Sequence, residues 1–283
     1  MQKILPVAFG AAITICASPV AAQDAEDEST VFSGDYLSVG AGVVIGPSYL
    51  GSDDYVISPA PLVQGSLGGV DINARAAGLA LDFVPDPDEG VGFDFGVAGR
   101  LRSDRATQIE DAVVASLGKL DRAIEIGPSA GVSFPKVLNP YDSLTFSTDV
   151  LWDVNGAHGG MVVNPSVAYF TPLSKGIAAS IALSAEYADS DFQDYYFRVT
   201  PAQSLATGGA LPTFEPDGGG FTSAGATLLL AYDFNGDITD GGLGLVVIGG
   251  YSRVLGDAAD TPYTSVRGSK DQFFGGAGIG YTF

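Results

Sequence analysis

The chain has 283 residues, with 13 Lys and Arg against 33 Asp and Glu, a formal net charge of −20, one Cys and one His. So few basic residues exclude a nucleic-acid binder, which needs clustered Lys and Arg for phosphate; one thiol excludes an internal disulfide and a Cys-built zinc site, and one imidazole leaves no His-rich metal centre. The 39 Gly and 46% hydrophobic residues point to an ordered all-β chain with tight turns, since Gly inside a helix costs about 1 kcal/mol against Ala.

The first segment is an address. Met1-Gln2-Lys3 supplies a positive start, residues 4–17 form an apolar run, and Ser18-Pro19-Val20-Ala21-Ala22 supplies a helix break and small residues. This is the pattern of a signal peptide over 1–22, cut after Ala22, and its apolar run is short of the ~20 residues of a spanning helix. Cys16 leaves with it; Ile15 before it argues against lipidation. Residues 23–34, with Asp24, Glu26, Asp27 and Glu28, read as a flexible acidic periplasmic leader, and 35–283 as one domain.

From Asp35 onward the hydropathy alternates with period two, the strand signal. Phe93, Phe95, Val97 and Leu101 alternate with Asp94, Gly96, Ala98, Arg100 and Arg102; Ile177, Ile181, Leu183 and Tyr187 alternate with small and polar residues. Such segments fall at 35–46, 56–67, 70–83, 91–102, 122–134, 143–154, 160–171, 176–187, 194–202, 223–235, 241–254 and 271–283. Most exceed the five or six residues of soluble strands and match the 9–11 of a tilted membrane strand. One face is aliphatic or aromatic and the other small or polar, the arrangement of a transmembrane antiparallel up-and-down β-barrel of about 12 strands, with 10–14 compatible. The closing Tyr281-Thr282-Phe283 resembles the terminal strand read by the outer-membrane insertion machinery; Tyr281 and Phe283 are the candidate insertion signal.

With both termini in the periplasm, this count sends 47–55, 84–90, 135–142, 172–175, 203–222 and 255–270 outward, and 68–69, 103–121, 155–159, 188–193 and 236–240 inward. Within 103–121, Ile109, Val113, Leu117 and Leu120 approximate helical spacing, which predicts a short amphipathic helix; so long an inward connection either protrudes into the periplasm or the lumen, the preferred reading, or marks a miscounted strand before it.

Several segments together resemble the MipA/OmpV family of outer-membrane proteins (MltA-interacting protein). They are Tyr49-x-Gly51-Ser52-Asp53-Asp54-Tyr55 within 40–63; Gly156-Ala157-His158-Gly159-Gly160; Tyr196-Phe197-x-Val199 followed by Gln203-Ser204; and Tyr251-Ser252-Arg253-x-Leu255-Gly256-Asp257 with Gly268-Ser269-Lys270-Asp271-Gln272-Phe273. The resemblance implies an outer-membrane barrel and, as in the founding member, a non-enzymatic scaffold joining a lytic transglycosylase to a murein synthase. Other members look like osmoregulated or adhesive surface proteins. The 208–220 stretch departs from the family pattern.

His158 sits in a Gly-rich turn with no nucleophile motif nearby, so it reads as a turn or contact residue. Ile109, Val113, Leu117 and His158 are the candidate partner contacts. Arg75, Arg100, Arg102, Glu125, Asp149, Asp153, Glu186, Arg198 and Asp233 fall on the small-polar face. They line the lumen either as a selectivity surface or, preferably in a barrel this narrow, as internal salt bridges. The acidic loop residues Asp53, Asp54, Asp257 and Asp260 suit a wet rim near lipopolysaccharide. No catalytic group, metal or cofactor is expected; a narrow channel is the alternative function.

Overall fold

A computed structural model describes residues 30–85, 87 and 90–283; the expected signal peptide and most of the leader lie outside the described residues. Twelve strands form a closed antiparallel barrel: β1 (Tyr36–Pro47), β2 (Tyr55–Leu67), β3 (Val70–Arg75), β4 (Gly78–Asp82), β5 (Gly92–Arg102), β6 (Ala123–Pro135), β7 (Ser143–Asp153), β8 (Met161–Ser174), β9 (Ile177–Ala188), β10 (Gly220–Asp233), β11 (Gly242–Val254) and β12 (Asp271–Thr282). Closure is made by β12 on β1, from Ser38 opposite Thr282 to Ile45 opposite Gly275.

The alternation read from the sequence sets the two faces. Val43, Ile45, Ile57, Phe93, Phe95, Phe146, Ile181, Leu183, Leu228, Tyr232, Phe273 and Ile279 all stand exposed on the outside. A water-soluble surface does not carry an apolar band of this extent; lipid does. Trp152, Tyr232, Tyr251 and Tyr281 are also exposed near strand ends, where aromatic rings suit the membrane interfaces. Among the described residues no helix is long and apolar enough to cross a membrane; the strands cross it.

Two segments correct the sequence reading. The single strand expected over 70–83 is two short strands, broken at 76–77, where Ala77 takes a positive φ of 55°. The strand expected over 194–202 is helical: α2 (Ser190–Phe197) is capped by Asp189, and α3 (Pro201–Ala206) opens with a capping box from Thr200 and Gln203. Only Val199 keeps a strand-like bridge, to Phe214. The total stays at twelve, but every connection between the two errors changes sides.

Both termini and the connections 68–69, 83–91, 136–142, 175–176 and 234–241 therefore share one end. Loops 48–54, 76–77, 103–122, 154–160, 189–219 and 255–270 share the other. Residues 84–90, 135–142 and 172–175 are thus at the terminal end, not the outer one, whereas 103–121, 155–159 and 188–193 are at the loop end. Gly68 and Gly69, both at positive φ, make the two-residue turn that matches strand twist. Of the leader, residues 31–33 form a 3-10 turn, tied by Val31 N–H to Thr239 O at 2.9 Å.

The closure ladder needs small residues. A Cβ on Gly278 would stand 2.9 Å from both Ala41 O and Gly42 Cα. Gly278→Val should therefore destabilise the barrel by about 1–3 kcal/mol and lower the folded band in a heat-modifiability gel. The outward Ala277→Val should leave that band unchanged.

Candidate functional site

The loop end of the lumen is crossed by a layer of paired charges. Arg100 and Arg102 on β5, Glu125 at the start of β6 and Glu186 near the end of β9 converge there, all with nearly buried side chains. Arg102 donates from Nε to Glu125 Oε1 at 2.7 Å and from Nη2 to Glu186 Oε2 at 2.6 Å. Arg100 donates from Nε to Glu125 Oε2, from Nη2 to Glu186 Oε2 at 2.9 Å and from Nη1 to Asn164 Oδ1 at 3.3 Å. Thr222 Oγ1 donates to Glu186 at 3.0 Å. Two cations and two anions share one lattice, so the layer is electrically neutral, and each carboxylate is held from several sides as buried charge requires.

His158 belongs to this layer. Its Nδ1 accepts from Gly160 N–H at 3.0 Å, which leaves the ring proton on Nε2, 3.1 Å from Glu125 Oε1. The imidazole is buried and packs edge-on to Phe192 at 5.0 Å. It is a lumen group beneath the loops and not a periplasmic contact. Among the described residues no hydroxyl bonds to its ring, so no Ser–His pair is formed.

Above the charges sits an apolar plug. Phe192, Tyr196 and Phe197 of α2 pack with Tyr49, Val114, Val199, Leu211, Ala258, Ala259 and Tyr263, drawn from 48–54, α1 (Ala112–Ala115), 189–219, α4 (Gly256–Asp260) and α5 (Pro262–Ser265). The Arg102 guanidinium lies 4.7 Å over the Phe192 ring, joining plug to charge layer by a cation–π contact. Arg105 is fully buried, 4.7 Å over Tyr263, and donates to Tyr196 O at 2.9 Å; Tyr263 donates to the same carbonyl. Burial pushes the Tyr196 and Tyr263 hydroxyls up from the ordinary phenol range.

Ile109, Val113, Leu117 and Leu120 pack against this plug. They were expected to meet a partner at the periplasmic side; their apolar spacing instead serves internal packing at the opposite end. The expected helix is a single turn. Asp111 caps it, accepting from Val113 and Val114 N–H at 2.7 and 3.0 Å, and takes Arg267 Nη2 at 2.7 Å. Burial alone would raise its carboxyl, but these donors hold it below the usual carboxylate range.

The remaining lumen candidates divide. Arg75 at the end of β3 reaches across to Asp149 on β7, Nε to Oδ2 at 2.8 Å, and Ser129 Oγ donates to the same carboxylate at 2.6 Å. Asp153 and Asp233 are turn caps: Asp153 accepts from the N–H groups of Asn155, Gly156, His158 and Gly159, and Asp233 from those of Asn235, Gly236 and Asp237. Arg198 is not in the lumen, because its segment is helical and leaves the barrel; it makes half-exposed pairs with Asp194 and Glu215.

Below the charge layer the lumen opens into a cavity of about 1090 Å³ toward the terminal end, lined by Asp71, Asn73, Arg75, Asp82, Ser147 and Tyr141 among others. At its mouth the turn 136–142 exposes Val137, Leu138 and Tyr141 on a frame fixed by Asp142, which accepts from Val137, Leu138 and Asn139 N–H. From the sequence alone this turn has no contact role; its signal there is Val137, Leu138 and Tyr141 beside Asn139-Pro140.

A closed barrel with an apolar girdle, paired charges inside and helical loops over one mouth defines an outer-membrane β-barrel protein with a plugged lumen. The chain belongs to the MltA-interacting protein MipA family, whose model matches residues 39–283. No curated protein matches it. Similar solved structures include an outer-membrane channel from Pseudomonas putida F1 (15% identity, 92% of this chain and 99% of that one, TM-score 0.45). OprD from Pseudomonas aeruginosa is 12% identical over 92% of this chain and 66% of that one, with a TM-score of 0.37. The Ralstonia pickettii toluene transporter TbuX is 10% identical over 88% and 89%, with a TM-score of 0.34.

Removing one partner of the layer strands its counter-charge. Glu125→Ala should cost about 3–5 kcal/mol in the refolding free energy, whereas Arg198→Ala, an exposed pair, should cost under about 1 kcal/mol.

Asp111 contributes a pH-dependent share of plug stability. Its carboxyl is depressed on folding, so the contribution is complete above the ordinary pKa near 4 and is lost as pH falls through the lower folded value. Hydrogen-exchange protection of 105–122, taken relative to the intrinsic rate at each pH, should fall in the wild type on acidification below about pH 4. Asp111→Ala, missing a cap worth ~1 kcal/mol, should be loosened at neutral pH and lack that step.

Proposed function

We propose that the protein is a non-enzymatic interaction protein of the outer membrane whose periplasmic rim docks a murein-degrading lytic transglycosylase and, through it, a murein synthase. The observation that carries this reading is the packed loop end of the lumen: neutral paired charges lie beneath an aromatic plug, which favours a rim as the working surface. Short turns beside the termini face the periplasm in bacterial barrels and long loops face outward, which makes 136–142 and its neighbours the periplasmic rim. The family name, an interaction with MltA, supports a partner of that class. Rigidly held exposed apolar side chains are the usual anchors of such contacts, and Leu138 is 78% exposed.

The cavity of about 1090 Å³ favours the second reading, a narrow channel for small solutes, and one pair of measurements separates them. The barrel in planar bilayers should be silent at both voltage signs; steady unit conductance would replace docking by transport. Immobilised barrel should retain a lytic transglycosylase from periplasmic extract at low salt. Leu138→Ala with Tyr141→Ala should cut that retention at least about tenfold, the loss of one hot-spot pair, without changing heat modifiability.

A further inference from the structure

Among the described residues the ladder is uneven beside β2. β2 pairs with β1 along nearly its whole length, Tyr55 to Ser66. Toward β3 only Gly65, Ser66 and Leu67 find partners, in Ile72, Asp71 and Val70. β3 and β4 then turn back at 76–77, and among the described residues no other segment bonds the backbone of residues 56–64 on that side. Elsewhere proline interrupts a ladder only locally: beside Pro128 and Pro165 pairing resumes on both sides.

The register fixes which groups look across this seam. Ser48 N–H donates to Asp54 O, and the pairs in phase with it, Gly46–Val56, Val44–Ser58, Gly42–Ala60 and Gly40–Leu62, exchange their hydrogen bonds with β1. Ile57, Pro59, Pro61 and Val63 therefore turn their backbone toward the seam, and the same four residues are exposed on the outer face. At two of the four, proline removes the donor. That substitution blunts an edge against strand addition, so the seam is not built to receive a partner's strand, and fewer donors are left unpaired in hydrocarbon.

The outer border of the seam is apolar, with Ile57, Pro59, Pro61 and Val63 on β2 and the exposed Leu79 on β4. The lumen cavity is lined on β2 by Gly65 and Ser66, at the foot of the seam, and climbs the inner face of the β3–β4 hairpin through Asp71 and Asn73 to Arg75. The cavity is at the upper end of the range for ligand pockets, roughly 300–1,000 Å³. It lies below the charge layer of Arg100 and Arg102, with the Arg75–Asp149 pair at its upper end.

We propose that the β2–β3 seam is a lateral portal through which the acyl chain of a membrane lipid enters the lumen cavity. This goes beyond the docking role and stands or falls independently of it, since a barrel that captures no murein enzyme can still admit a chain.

The test uses fluorescence. The chain has one Trp, so Trp152→Phe gives a dark background, with Cys16→Ser to remove the native thiol. In that background Asn73→Trp places an indole in the cavity, and the barrel is folded into vesicles of phosphatidylcholine brominated midway along its acyl chains. Most of the emission should be lost, as it should be for the outward Phe146→Trp. Val63→Cys with Ala74→Cys, two residues along the same register beyond the last pair, Gly65–Ile72, closes the seam by a disulfide or a short bis-maleimide, and closure should restore the Asn73→Trp emission while leaving Phe146→Trp quenched. An unquenched Asn73→Trp barrel, or quenching indifferent to closure, overturns the proposal. Disulfide-linked dimers through Val63→Cys alone would place a second copy's strand in the seam and overturn it equally.

Discussion

A peptide group in hydrocarbon has no water to bond, and leaving one unpaired costs several kcal/mol. Most other features of this barrel follow from that constraint. The strands must close on one another, as β12 does on β1. Outward side chains must be apolar, as Phe93, Phe95 and Ile181 are. The charged residues of the strands are consequently driven into a narrow lumen, where each must be neutralised at short range. Glu125 and Glu186 are each paired with both arginines, and accept further hydrogen bonds from His158 and Thr222 respectively. Buried pairs of this kind add little net stability against apolar packing. Their effect is to fix a neutral partition across the lumen that neither ions nor water displace cheaply.

Helix α2 is the element that turns the partition into a plug. Its N-terminus is capped by Asp189, which accepts from Phe192 N–H and, from the neighbouring strand, Met161 N–H. The carbonyls of its last turn are taken by Arg105 and Tyr263 at Tyr196, and by Thr261 at Phe197. Both ends of an eight-residue helix, too short to persist alone, are thus held by its own cap, by strand β8 and by two other loops. Its Phe192 ring then faces the Arg102 guanidinium. Loosening any one loop removes a cap from α2 and desolvated contacts from the charge layer together, which is why plug and partition behave as one unit.

The barrel was legible because alternation over ten or more residues has no soluble counterpart with so few surface charges. The two errors have local causes. Ala76-Ala77 carries no Gly, Pro or Asn, so nothing in the composition marks a turn there, and Ala77 pays for its positive φ with strain. Residues 194–202 do alternate, through Tyr196, Arg198 and Thr200 against Tyr195, Phe197 and Val199, but Asp189 and Thr200-Pro201-x-Gln203 were helix-start signals outweighed by aromatic and β-branched content. One missed strand break and one surplus strand cancel in the count and invert the sidedness between them. That inversion misplaced the two proposed contact surfaces, around Ile109 and His158. The lumen charges were recognised as a face; their pairing was not readable, because Arg100 meets Glu186 only through the closure of the sheet.

At the β2 seam the hydrocarbon constraint is relaxed along a long strand, and its position relative to the partition matters. The charge layer occupies the ends of β5, β6 and β9 nearest the loops, whereas the cavity lies beneath it along β3 and β4. A solute crossing from the outside in water would have to break the layer and part the plug, exposing charges that have no other partners. A chain moving in from the bilayer crosses neither. With the proposed portal, the architecture would resist polar traffic along its axis and admit apolar matter through its wall, and the two prolines would keep that opening from being healed by a borrowed strand.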